Sequence, residues 1–159
     1  MNYADTNWLE ALYLTPHPDD ALAQERERIV ERFARKHGGQ LAVSHVVLLE
    51  ARNVFSRVTG ERQPREWDLL EADFDGRLYV DPMNWDLLRR ECHALLARYA
   101  WKETVGTFDT GIVASAKLAG ATRFLSFDTT AKALAAAEGI NVFPPLDAQG
   151  KQVMARLKR

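Results

Sequence analysis

Short apolar runs alternate along this chain with longer stretches in which apolar residues recur every three to four positions. The runs Met1 to Ala4, Gln40 to Val43, Leu78 to Val80, Arg123 to Phe127 and Ile140 to Phe143 read as buried strands. Between them, helical spacing predicts a helix from Asp20 to about His37, with Leu22, Ile29, Val30 and Phe33 on one face. Ser44 is placed to cap a second helix running to about Val58, whose apolar stripe is Val47, Ala51, Val54, Phe55 and Val58. A short helix around Glu66 to Ala72, a turn at Asp73 to Gly76, and helices over Trp85 to Tyr99, Thr110 to Ala119 and Thr129 to Glu138 complete the pattern. Prolines at 16 and 18 mark the first long connection as a loop, and Gly38-Gly39, Gly60, Gly120 and Gly139 end four of the helices.

Strands that alternate with helices build βαβ units, and their crossovers impose a parallel sheet. The expected fold is a three-layer α/β/α sandwich around a central parallel β-sheet, one domain over residues 1–159. Composition agrees with a self-sufficient core: 47% of residues are hydrophobic and 27% charged. One cysteine, Cys92, excludes an internal disulfide, and no Cys/His cluster has zinc-binding spacing. No run approaches the length of a membrane span, so a cytoplasmic location without membrane attachment is expected. A net charge of −1 gives no overall attraction to nucleic acid. The basic end, Lys151 to Arg159, reads as a solvated terminus, with a phosphate-contacting tail as the alternative. Trp8 and Trp85 are expected in or beside the core, and Lys102 and Lys117 are candidate phosphate contacts that compete with plain surface charge.

Four acids change the picture. Asp5 closes the first strand, where the edge of an open α/β sheet carries its binding crevice. Glu50 lies at the border of the apolar stripe that runs through Val47 and Val54, a place where a carboxylate needs a partner, a proton or a cation. Asp109 heads the helix bearing Ile112 and Val113, and Asp128 follows the run Phe124 to Phe127; both also suit helix capping. Carboxylates that converge on one crevice repel one another unless a cation neutralises them. Oxygen donors without His or Cys favour Mg²⁺ or Mn²⁺, and the matching substrate is a phosphodiester.

These residues carry a resemblance. Tyr3-Ala4-Asp5-Thr6-Asn7, Val43 to Ala51, Phe108 to Ala116 and Phe124 to Asp128 resemble the segments of the PIN-domain family, and within it the VapC-like toxin ribonucleases of toxin–antitoxin systems. The resemblance implies that Asp5, Glu50, Asp109 and Asp128 form an acidic quartet that binds Mg²⁺ or Mn²⁺ in a ribonuclease directed at single-stranded RNA. It makes Ser126 the hydroxyl two positions before the last acid and Asn7 a supporting polar residue. It further implies a cognate antitoxin protein and a homodimer. Two other readings compete. A haloacid-dehalogenase-like phosphatase would use Asp5 as nucleophile, but the second Asp that such enzymes carry two positions later is Asn7 here. A non-catalytic PIN-like binding module would keep the acids only as helix caps.

Overall fold

The computed structural model describes residues 1–159 and contains a five-stranded, fully parallel sheet flanked by helices. Its strands are β1 (Asn2–Ala4), β2 (Leu41–Val43), β3 (Leu78–Val80), β4 (Arg123–Leu125) and β5 (Asn141–Phe143), in the spatial order β3-β2-β1-β4-β5. The helices are α1 (Thr6–Tyr13), α2 (Ala21–His37), α3 (His45–Thr59), α4 (Arg65–Ala72), α5 (Trp85–Tyr99), α6 (Thr107–Leu118), α7 (Thr129–Ala137) and α8 (Ala148–Lys158), with a 3₁₀ turn at Asp73–Asp75. The α/β sandwich and all five expected strands are therefore present.

The chain leaves β1 toward β2 and β3 on one side, then crosses back to β4 and β5 on the other. Neighbouring strands that lead in opposite directions create a topological switch point, and β1 pairs there with β4 at Tyr3 opposite Phe124 and Ala4 opposite Leu125. One helical layer contains α1 packed on α2, α3 and α4; in the other, α5, α6, α7 and α8 pack in succession. The core is continuous through both. Tyr3, Ala4, Phe124 and Leu125 from the central strands are wholly inaccessible, as are Ala51 and Phe55 from α3 and Val113 and Ala114 from α6. Trp8 stacks on Phe127 at 5.2 Å between ring centroids and meets Phe33 and Phe143 edge-on, pinning α1 to α2 and to the β4 and β5 connections.

Five local expectations change. Residues 6–13, to which the apolar pattern assigned no element, are α1; Asp5 ends the strand and caps this helix at once, leaving no loop to announce it. The Arg123–Phe127 run pairs only as far as Leu125, because Ser126 and Phe127 turn toward α7. α6 begins at Thr107, three residues before the expected start, so Asp109 sits inside its first turn and Gly106 occupies the cap position. Trp85, Val58 and Leu22 are exposed instead of buried, since α5, α3 and α2 each present one end of their apolar stripe to solvent. The basic terminus is a folded helix: α8 buries Gly150, Val153 and Leu157 against α7, and its charges occupy the outer face.

Leu157→Ala tests this last correction. Truncating a fully buried leucine destabilises a domain by about 2–5 kcal/mol, so urea denaturation of the variant should show a loss in that range, whereas a solvated tail would lose nothing.

Candidate metal-binding active site

The acids stand on four different elements at the C-terminal edge of the sheet. Asp5 follows β1, and its backbone N–H still pairs with the Leu125 carbonyl at 2.9 Å, so its position is set by the sheet itself. Its side chain is 3% exposed and fully engaged. Oδ1 accepts from the Thr6 N–H at 2.7 Å, while Oδ2 accepts from Ser126 Oγ at 2.6 Å and from Asn7 Nδ2 at 3.0 Å.

Asn7 and Ser126 extend this network from β1 to the last acid. Asn7 Oδ1 accepts the Phe127 N–H at 2.8 Å, and Ser126 Oγ accepts the Asp128 N–H at 2.9 Å. Asp128 in turn caps α7 by accepting the Ala131 N–H on Oδ1 at 2.6 Å, and its Oδ2 takes no hydrogen bond from the protein. Capping and facing the crevice therefore coexist at Asp128, because a carboxylate has two oxygens and the cap uses one.

Glu50 reaches the site from α3, where it follows buried Val47 and precedes buried Ala51. The Thr6 hydroxyl donates to Glu50 Oε2, joining α1 to α3. Sequence reasoning assigned Thr6 no role; the only signal was its place beside Asp5, which a single chain cannot distinguish from a helix-opening threonine. Asp109 is half-buried in the first turn of α6 and accepts no hydrogen bond from the protein. Its carboxylate folds back over Gly106, where an added Cβ would stand 2.5 Å from Asp109 Oδ2. Only glycine leaves room for that rotamer.

The electrostatics follow from packing these charges together. Burial, opposed by the hydrogen bonds from Ser126 and Thr6 and reinforced by the charges of Asp109 and Glu50, raises the pKa of Asp5 to about 7. Burial and then the Asp128 and Glu50 charges also raise that of Asp109. Asp5 and Asp109 thus each feel the other acids: Asp5 the charges of Asp109 and Glu50, and Asp109 those of Asp128 and Glu50. The carboxylates do not close into a finished coordination shell, as no three acidic, histidine or cysteine groups stand at metal-binding separation. Glu50 is held by the Thr6 hydroxyl and Asp128 by the Ala131 N–H. The donor set is all oxygen, the donor type that hard divalent ions take.

A model of the PIN domain matches residues 3–137. The chain belongs to the PIN domain family. Among solved structures with the same fold is Mycobacterium tuberculosis VapC20, described as a toxin that cleaves the sarcin–ricin loop. It is 20% identical with a TM-score of 0.64 over 86% of this chain and 95% of that one. FitAcB from Neisseria gonorrhoeae is 17% identical with a TM-score of 0.58, over 91% of this chain and 98% of that one. FitAB bound to a DNA fragment is 17% identical with a TM-score of 0.53, over 90% of this chain and 94% of that one. No curated protein matches the sequence. The matched PIN region includes Asp5, Glu50, Asp109 and Asp128 and stops at the end of α7, leaving β5 and α8 outside it.

The raised pKa of Asp5 makes a prediction with a definite sign. The folded chain keeps a proton on Asp5 up to about pH 7, whereas the unfolded chain releases it near 4. Stability present at pH 4 is therefore lost as pH rises toward 7, at up to about 1.4 kcal/mol per pH unit. Comparing denaturation of wild type and Asp5→Asn in chelator from pH 4 to 8 isolates this contribution: wild type should lose ground steadily to the variant. A constant difference across the range would contradict it.

Proposed function

We propose that this PIN-domain chain is a Mg²⁺- or Mn²⁺-dependent endoribonuclease that acts as the toxin of a toxin–antitoxin pair. What supports this reading is that Asp5 and Asp109 are both desolvated by burial, Asp5 feeling the charges of Asp109 and Glu50, and Asp109 those of Asp128 and Glu50. Family membership supports nuclease chemistry, and the fold shared with an RNA-cleaving toxin supports RNA as the substrate class. That no helix is long and apolar enough to cross a membrane agrees with action on a soluble substrate.

Asp5, Glu50, Asp109 and Asp128 would hold the divalent ion, which supplies Lewis acidity at the scissile phosphodiester and offsets the charge that develops at phosphorus. The chain's own groups do the rest. Asp5 is immobilised by Thr6, Asn7 and Ser126, so the position it defines does not drift as substrate arrives. Asp128 keeps Oδ2 free of protein hydrogen bonds, which suits it to orient the attacking water and accept its proton. The Thr6 hydroxyl directs Glu50 toward the same crevice. A phosphatase with Asp5 as nucleophile is disfavoured by residue 7, an Asn where such enzymes carry a second Asp.

The non-catalytic reading has one observation in its favour, since Asp5 and Asp128 do cap α1 and α7. Asp109 caps nothing, and a module that needed only caps would have no use for its uncompensated charge. A cognate antitoxin and a homodimer belong to the proposal through the resemblance to VapC-like toxins; suppression of toxicity on co-expression with a neighbouring small reading frame tests the first, and light scattering the second.

Two measurements test the nuclease. Mn²⁺ should stabilise wild type at pH 8 by about 2.7 kcal/mol when present at a hundred times its dissociation constant, and Asp109→Asn should abolish most of that gain. Cleavage of single-stranded RNA should fall at least about 100-fold in Asp5→Asn and Asp109→Asn while circular dichroism stays unchanged. Full residual cleavage in either purified variant would overturn the mechanism.

A further inference from the structure

An RNA strand laid across this site brings phosphates on both sides of the scissile one, and the acids would repel them. A cation beside the crevice is needed, and several of the chain's cations are committed elsewhere. Lys117 bridges Glu91 and Glu138, Lys102 donates to the Leu157 carbonyl, Arg52 is bound by Ser56 and the Arg62 carbonyl, and Lys132 is 93% buried with its ammonium on the Pro144 carbonyl. Arg26 is different. It takes part in none of the ion pairs and donates none of the side-chain hydrogen bonds. Its guanidinium instead rests over the ring of Phe127 at 5.2 Å, on the residue between Ser126 and Asp128.

That placement borders a cavity of about 250 Å³ whose walls include Asn7, Glu10, Leu14, Pro16, Arg26 and Val58. Asn7, which donates to Asp5 Oδ2, is also part of this wall. Val58 is 61% exposed, which left its place at the end of the α3 stripe without a structural purpose. The Glu10 side chain is half-buried and takes no hydrogen bond from the protein, while the charges of Arg26 and Arg57 act on it. We propose that this cavity is a nucleotide subsite: Arg26 binds the phosphate next to the scissile one, and the space between Leu14, Pro16 and Val58 receives the attached nucleoside of a single-stranded RNA. A free guanidinium fits a phosphate in a bidentate manner, and the ring beneath holds it ready. This inference rests on the ribonuclease reading and deepens it.

The test uses the full chain with Mg²⁺ and a fluorescent single-stranded RNA of mixed sequence. Binding is read by anisotropy in the cleavage-silenced Asp109→Asn background, with Arg26 intact, Arg26→Met, which keeps the stem over Phe127, or Arg26→Lys, which keeps the charge. Arg26→Met should weaken binding several-fold and reduce the slope of log K against log salt by about 0.7, the loss of one single-strand phosphate contact; Arg26→Lys should restore the slope. In an otherwise wild-type chain, Arg26→Met should raise KM with little change in kcat. An unchanged affinity and slope in Arg26→Met, with RNA cleavage by wild type intact, would overturn the subsite alone. A wild-type chain that neither binds nor cleaves RNA in Mg²⁺ or Mn²⁺ would overturn both the subsite and the nuclease.

Discussion

Everything at the candidate site depends on one buried carboxylate. Asp5 stands at the end of the central strand with almost no contact with water, and a desolvated carboxylate persists only where donors surround it. Those donors come from two places: the first residues of α1, and Ser126 at the end of β4. Satisfying Asp5 therefore closes the switch point of the sheet. The same contacts carry Asp128 into place through Ser126 and Asn7, so the second acid inherits its position from the first.

Charge explains why the arrangement is strained and why the strain is local. Asp5 and Asp109 both have raised pKa values, with burial as the first cause and neighbouring acids as a further one. Away from the crevice the protein pairs its charges in the ordinary way: Lys117 and Arg98 gather around Glu138, whose pKa is lowered despite burial by Lys117, Tyr99 and Arg98. The fold thus neutralises buried acids where they serve structure and leaves them unneutralised at the sheet edge. Tolerating such a deficit costs stability, and it is the expected signature of a site that completes itself with a cation or a substrate.

Legibility in the sequence followed the strength of periodicity. α2, α3 and α5 each carry repeated apolar positions over four or more turns, and their boundaries were close to those observed. α1 escaped because eight residues give barely two turns and because Asp5 both ends a strand and starts a helix. α8 escaped because its basic residues dominate a segment in which only Val153 and Leu157 mark the buried face among large side chains. At Asp109 the helix type was right and the register of its start was wrong: Gly106 carries no side-chain cap, so nothing in the residue types marks the true beginning.

From its amino acids alone the chain could be read as a parallel α/β sandwich with four misplaced acids in a PIN-like order, because backbone periodicity and the cost of burying charge are local properties that survive in one dimension. What required the folded chain was the relation among those acids. Thr6 bonding Glu50, Ser126 and Asn7 gripping Asp5, the glycine that makes room for Asp109, and Arg26 lying free above Phe127 all join residues whose proximity is produced by crossovers. Asp5, conspicuous in the sequence as an early strand-ending acid, acquired its raised pKa only when β1 met β4 and water was excluded from between them.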